Sequence, residues 1–179
     1  RLHALVQRVC LITQLKAGSV PVRRDPADLR VLATTGLEDV RANAEQVRVT
    51  VVLEPGNAVP VVGDRELLVW VIDALLDNAI RVSPRGGVVT VRVATDGLRP
   101  SLSVSDHGPG IEAELLPRIF DEFVVADIKH HTKGSGLSLA TARLIVEQHD
   151  GTLSVESEAG GGAVFRLELS SAAAARAAA

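Results

Sequence analysis

The chain has no tyrosine and no methionine, and it carries one tryptophan and three phenylalanines in 179 residues. Its core must therefore be aliphatic, which excludes aromatic stacking on exposed bases as the main binding device. Cysteine is nearly absent as well. Cys10 stands alone, so no internal disulfide framework supports the fold, and a reducing compartment suits it. Charge of one sign is lacking too: the formal net charge of −3 provides no basic field for a nucleic-acid partner. No apolar run reaches membrane-spanning length without a charge, and no signal-peptide pattern opens the chain. The missing initiator methionine leads to the expectation that this is a segment of a longer or processed protein. What remains is 46% hydrophobic and long enough to bury a real core, which predicts one soluble globular domain with a short appendage.

The apolar residues fall into two periods. Leu2, Leu5, Val9 and Ile12 recur at spacings of three and four, a heptad-like seam on an opening helix of about 16 residues. Such a seam packs either on a partner helix or back on its own domain, and the pattern leaves both open. KAGSVPVRRDP (residues 16–26) breaks the period. Asp25 before Pro26 then predicts a second helix, with Asp25 as N-cap, running to about Gln46. Beyond it the period becomes two. Val49, Val51 and Leu53 alternate inward, as do Val89, Val91 and Val93, then Leu102 and Val104, Leu153 and Val155, and Phe165, Leu167 and Leu169. Five half-buried strands with helices between them predict one sheet covered on a single face by helices. Gly160, Gly161 and Gly162 predict a hairpin turn before the last strand. SSAAAARAAA, from Ser170, is a low-complexity tail.

Three stretches carry candidate chemistry. In WVIDALLDNAIRVSP (residues 70–84), Leu68, Val71, Ile72, Leu75, Leu76 and Ala79 form one apolar helical stripe, with Asp73 and Asp77 on the far side. Asn78 lies on a flank of that stripe, in line with Ala74 and Arg81. An uncharged amide there satisfies backbone groups, caps something, or reaches a ligand. Its oxygen is a suitable hard ligand for Mg²⁺ bridging phosphates, and Arg81 one turn on could donate to the same phosphates. In SVSDHGPGI (residues 103–111), the alternation through Leu102 and Val104 aims Asp106 inward at a strand end. An ordinary turn explains Gly108, Pro109 and Gly110, which would also let backbone approach a flat ligand, but it does not explain a carboxylate aimed at the core. In KHHTKGSGLSLATARLIVEQH (residues 129–149), Gly134 and Gly136 lead into a helix patterned by Leu137, Ala140, Leu144 and Ile145. Free N–H groups at its start suit an anion, and Lys129, His130, His131 and Lys133 add positive charge upstream. The two histidines lack a third ligand at a usual spacing for zinc.

Taken together and in order, LLDNAIRVSP (residues 75–84), DHGPGI (106–111), RIFDEF (118–123) and GSGLSLA (134–140) resemble the N box, first glycine box, F box and second glycine box of the catalytic ATP-binding domain of bacterial sensor histidine kinases, in the GHKL superfamily. The resemblance implies an α+β Bergerat fold, a two-layer α/β sandwich whose mixed, mostly antiparallel sheet is covered on one face by helices. It divides the chain into the end of a dimerisation helix (1–17), a linker (18–25), the catalytic domain (26–169) and an Ala-rich tail (170–179). It implies ATP and Mg²⁺ as cofactors. Asp106 would accept from the adenine amino group and Asn78 would coordinate Mg²⁺. Gly108, Gly110 and Ile111 would shape one wall, and Lys133, Gly134, Ser135, Gly136 and Leu137 the other. Arg81 and Arg118 would stand beside the phosphates.

Departures accompany the resemblance. Ala74 stands where the family commonly has a second Asn, Val82 replaces a frequent aromatic, and Ser138 replaces a glycine. Hydrolytic relatives resemble one another in carrying a Glu at the position of Ala74 to activate water; a methyl group accepts no proton, which predicts little intrinsic hydrolysis. The implied function is transfer of the γ-phosphoryl to a histidine outside this chain, since neither His3 nor any other histidine has the setting of the family's acceptor. Implied partners are a dimerisation and histidine-phosphotransfer domain, a downstream response regulator and a second copy of the parent protein, with no nucleic acid. The implied location is cytoplasmic, for a parent protein either free or anchored in an inner membrane. Two readings from other classes stand beside it: a nucleotide-binding regulatory module without transfer, and a structural interaction domain using the opening seam.

Overall fold

A computed structural model describes residues 12–17, 21–96, 99–124 and 136–170. Strand β1 (Asp25–Asp28) leads into helix α1 (Leu29–Val47), followed by β2 (Thr50–Leu53), β3 (Pro60–Gly63) and helix α2 (Arg65–Val82). Strands β4 (Val88–Asp96) and β5 (Arg99–Asp106) come next, then a single 3₁₀ turn (Leu116–Arg118), helix α3 (Ser138–Gln148), and the hairpin of β6 (Thr152–Ser157) and β7 (Ala163–Glu168). The main sheet has the order β2-β4-β5-β7-β6. β2 runs parallel to β4, and every other pair in that sheet is antiparallel. This is the mixed, mostly antiparallel α+β sandwich expected from the sequence, and all five expected strands are in it.

The register explains the core. Val91, Val104, Phe165 and Val155 lie in one row across four strands, and Val93, Leu102, Leu167 and Leu153 form the next. Against these rows α2 lays its apolar stripe: Leu68, Val71, Ile72, Leu75, Leu76 and Ala79 are all fully buried. At roughly 1.5–3 kcal/mol for each large aliphatic side chain removed from water, this stripe is the main reason α2 holds its place. α1 and α3 flank it on the same face. α1 comes close because Gly36 has no side chain; a Cβ there would stand 2.8 Å from the Ile72 methyl.

Two features differ from the sequence reading. Asp25 is not a helix cap. Residues 25–28 form an extended strand paired antiparallel with β3, and the N-cap of α1 is Asp28, whose carboxylate accepts from the N–H groups of Arg30 at 2.8 Å and Val59 at 3.1 Å. The second bond comes from 31 residues away, a tertiary term that local cap rules do not contain. The opening segment is helical over residues 12–16, where Ile12 and Leu15 are buried, Leu15 within the same core as α1 and α2. These residues fold back on their own domain, and Lys16 pairs with Glu122. Cys10 and the seam residues Leu2, Leu5 and Val9 lie outside the described residues, as do residues 18–20 and 171–179. No helix among the described residues is long and apolar enough to cross a membrane.

Candidate functional site

Strand alternation carries Asp106 inward at the end of β5, where it is only 3% exposed. Oδ1 accepts from the Gly108 N–H at 2.8 Å, and Oδ2 is buried with no partner among the described residues. Burial pushes this carboxyl above the usual aspartate range, opposed by the N–H groups of Gly108 and Ala163 and by His107. A buried acceptor without a donor costs roughly 1–3 kcal/mol, so the fold keeps here an oxygen for which no described residue supplies a hydrogen bond of good geometry.

The loop after Asp106 is fixed by backbone nesting. Gly110 (φ +71°) and Gly162 (φ +80°) occupy left-handed conformations, and a Cβ on either would collide with a carbonyl oxygen, that of Glu158 at 1.9 Å or of Asp106 at 2.1 Å. Only glycine fits both the torsion and the space. Ile111 is buried at the loop's end, and its N–H donates to the Ser157 hydroxyl at 2.9 Å. Gly108 is tight for another reason: a Cβ would lie 2.9 Å from both the Val82 carbonyl and a Val82 methyl. The Asp106 loop therefore meets α2 one turn beyond Asn78.

On α2, Ala74 and Asn78 are half-buried on the flank expected for them, and Ala74 packs on the core. Arg81 donates from Nη2 to Asn78 Oδ1, so the amide oxygen and the guanidinium form one polar unit at the helix end. On the far side of α2, Asp77 is exposed while Asp73 is half-buried against α1. Asp77 accepts from the Asn43 amide of α1 at 3.1 Å, and Asp73 packs beside Gly36 with its Oδ1 buried and without a partner among the described residues. Burial, then Asp39 and Asp77, pushes Asp73 up to about 6. Both carboxylates thus turn away from Asn78, as the helical period predicts. Among the described residues no group of three or more His, Cys, Asp or Glu side chains could cage a metal.

The other expected residues separate into two groups. Gly136 (φ +66°) accepts at its carbonyl from the Phe123 N–H at 3.0 Å, and Leu137 is buried at the N-cap of α3, where no side chain caps the helix. Arg118 lies on the 3₁₀ turn, exposed and paired with Asp121 at 3.4 Å; no described contact joins it to Asn78 or Asp106. Lys129, His130, His131, Lys133, Gly134 and Ser135 lie outside the described residues. Two polar residues emerge that the sequence reading passed over. His149 is 1% exposed, its Nδ1–H donates to the Ile145 carbonyl at 2.7 Å, and its Nε2 accepts from the Asp64 N–H at 2.9 Å. No local pattern announces it, because Asp64 is 85 residues away. Ser157 did have a signal: it continues the inward parity of Leu153 and Val155.

A two-layer sandwich with an orphaned carboxylate at a strand end, a glycine-built loop and an amide on the adjoining helix defines a nucleotide-binding domain of the GHKL type. Comparison with known proteins places it more narrowly. The family model described as "Histidine kinase-, DNA gyrase B-, and HSP90-like ATPase" matches residues 63–173, and the chain belongs to this family. Sensor-like histidine kinase SenX3 of Mycobacterium tuberculosis is 30% identical over 171 residues, 94% of this chain and 42% of that protein. Probable sensor histidine kinase TcrY of the same species is 32% identical over 162 residues, 89% of this chain and 34% of that protein. Among solved structures, full-length ShkA in complex with AMPPNP is similar at a TM-score of 0.82 and 27% identity, over 96% of this chain and 36% of that one. The mycobacterial sensor histidine kinase MprB is similar at 0.73 and 28%, over 82% and 98%. The chain thus spans less than half the length of these curated relatives. It is a catalytic ATP-binding domain of the histidine-kinase kind.

Proposed function

We propose that this domain binds Mg²⁺·ATP and directs its γ-phosphoryl to a histidine on a separate helical domain of the parent protein. The observation that carries the reading is Asp106, almost fully buried and with Oδ2 lacking a donor among the described residues. The adenine amino group is a donor of the right kind for that oxygen. Asn78 offers its Oδ1 to the magnesium, whose chemistry is to neutralise the phosphates and hold them in line. Arg81, which donates to Asn78 Oδ1, would be the cation beside the phosphates with the nucleotide bound. Gly108, Gly110 and Ile111 form the wall beside the purine. The N–H groups at the start of α3, with Gly136 and Leu137, would face the phosphates, and the resemblance assigns Lys133, Gly134, Ser135 and Arg118 to the same role. Nothing on the Ala74 flank can activate water, so these residues position the nucleotide and leave the acceptor to come from outside.

This proposal places the acceptor on neither described histidine. His149 has both ring nitrogens engaged inside the core, and His107 donates from Nδ1 to the Val88 carbonyl at 3.2 Å. The implied partners are a dimerisation and phosphotransfer domain, a second copy of the parent protein and a response regulator; the similarity to two-component sensor kinases supports them. A cytoplasmic position for this domain is part of the same proposal. Supplying a cognate dimerisation hairpin in trans with Mg²⁺ and labelled ATP tests the proposal. Labelled hairpin is expected, lost in Asp106→Asn and Asn78→Ala. ATP binding with an unlabelled hairpin would instead favour a regulatory module, and equal labelling by both variants would show that the site is misassigned.

A further inference from the structure

The β6–β7 hairpin packs on the Asp106 loop, yet none of its residues was among those expected to meet the nucleotide. Its contacts centre on one side chain. The Ser157 hydroxyl accepts from the Ile111 N–H at 2.9 Å and donates to the Gly162 carbonyl at 2.5 Å, closing its own hairpin while holding the far end of the loop. A third bond, from the Gly160 N–H to the Pro109 carbonyl at 2.6 Å, runs beside it. In the sheet, Ala163 pairs with Ser157 on one side and with Asp106 on the other, so the hydroxyl and the carboxylate end two strands flanking the same residue. The loop is thus pinned at both ends, by the carboxylate through Gly108 and by the hydroxyl through Ile111. The hydroxyl is half-buried, and its two bonds use its one proton and one lone pair.

We infer that Ser157 is a positioning residue for base recognition: its hydroxyl ties the loop of residues 107–111 to the glycine hairpin and so sets where the purine lies against Asp106. An alanine at 157 strands the Ile111 N–H and the Gly162 carbonyl together. The loop then loses its distal tether while Asp106 and Gly108 keep theirs. Discrimination between purines, which depends on where the ring edge meets the Asp106 carboxylate, loosens more than the hold on the phosphates. This inference rests on the reading that Asp106 meets the adenine.

Displacement of a fluorescent ATP analogue by ATP and by GTP, with Mg²⁺, tests it in the parent domain, Ser157→Ala, Ser157→Thr and Asp106→Asn. The ATP-to-GTP affinity ratio is expected to fall about three- to tenfold in Ser157→Ala, the worth of one net hydrogen bond, and to return in Ser157→Thr, which keeps a hydroxyl. In parallel, the Ile111 amide of Ser157→Ala should lose hydrogen-exchange protection. An unchanged ratio in Ser157→Ala, or equal loss of ATP and GTP affinity, would overturn the inference while leaving the Asp106 reading intact. An unchanged ratio in Asp106→Asn would remove the base site itself, and Ser157 would have nothing to position.

Discussion

The loop at the end of β5 and the flank of α2 meet at Gly108, yet they are built from different materials. The loop is backbone set against backbone: Gly110 under the Glu158 carbonyl, Gly162 against the Asp106 carbonyl. The flank is side chains on a helix that would stand without them, since the buried stripe of α2 includes neither Asn78 nor Arg81. The difference teaches where stability and function are coupled. Changes at the loop's glycines should harm the fold and the site together, whereas changes on the flank should reach the site alone.

Gly110→Ala is the sharpest way to break that contrast. The added methyl meets the Glu158 carbonyl at 1.9 Å in a left-handed residue, so urea unfolding should show a loss of roughly 3 kcal/mol or more, together with loss of ATP binding. Asp106→Asn comes next and separates the two effects within the loop. It removes a buried carboxylate with an unmet oxygen, so stability should hold or rise. ATP affinity should fall about ten- to hundredfold by calorimetry, the worth of a charged hydrogen bond. On the flank, Asn78→Ala should weaken Mg²⁺·ATP about tenfold while the unfolding free energy moves by less than roughly 0.5 kcal/mol.

The smallest effect is on the other side of α2. Asp73 is raised to about 6, so its ionisation penalises the folded state above that pH, and the penalty fades as pH falls toward 3.8, the ordinary value. Asp73→Asn should therefore stabilise the domain at pH 8 by about 1 kcal/mol, a figure reduced for partial exposure, and progressively less from pH 6 downward. Urea titrations at pH 8 and pH 5 check the sign. A gain that grows on acidification would mean that Asp73 is stabilised as the anion.

What could be read from the sequence follows the same division. Period-two alternation placed all five strands of the main sheet and turned Asp106 inward, because alternation is a local geometric rule that burial of one face enforces. The helical stripe on α2 and the flank position of Asn78 were legible for the same reason. The β1–β3 pair was not, since residues 25–28 are extended only because β3 lies beside them and Asp28 also receives the Val59 N–H. The setting of Asp73 and Asp77 against α1 was likewise hidden, because an isolated helical period shows an opposite face without saying what covers it. Ser157 was within reach, had the alternation of β6 been followed one step beyond Val155.

The most direct measurement is a structure of the domain with a non-hydrolysable ATP analogue and Mg²⁺. The adenine amino nitrogen should lie about 3 Å from Asp106 Oδ2, with Asn78 Oδ1 about 2.1 Å from the ion and Arg81 released toward the phosphates. A purine bound elsewhere, with Oδ2 still unpartnered and Arg81 still on Asn78, would contradict the account.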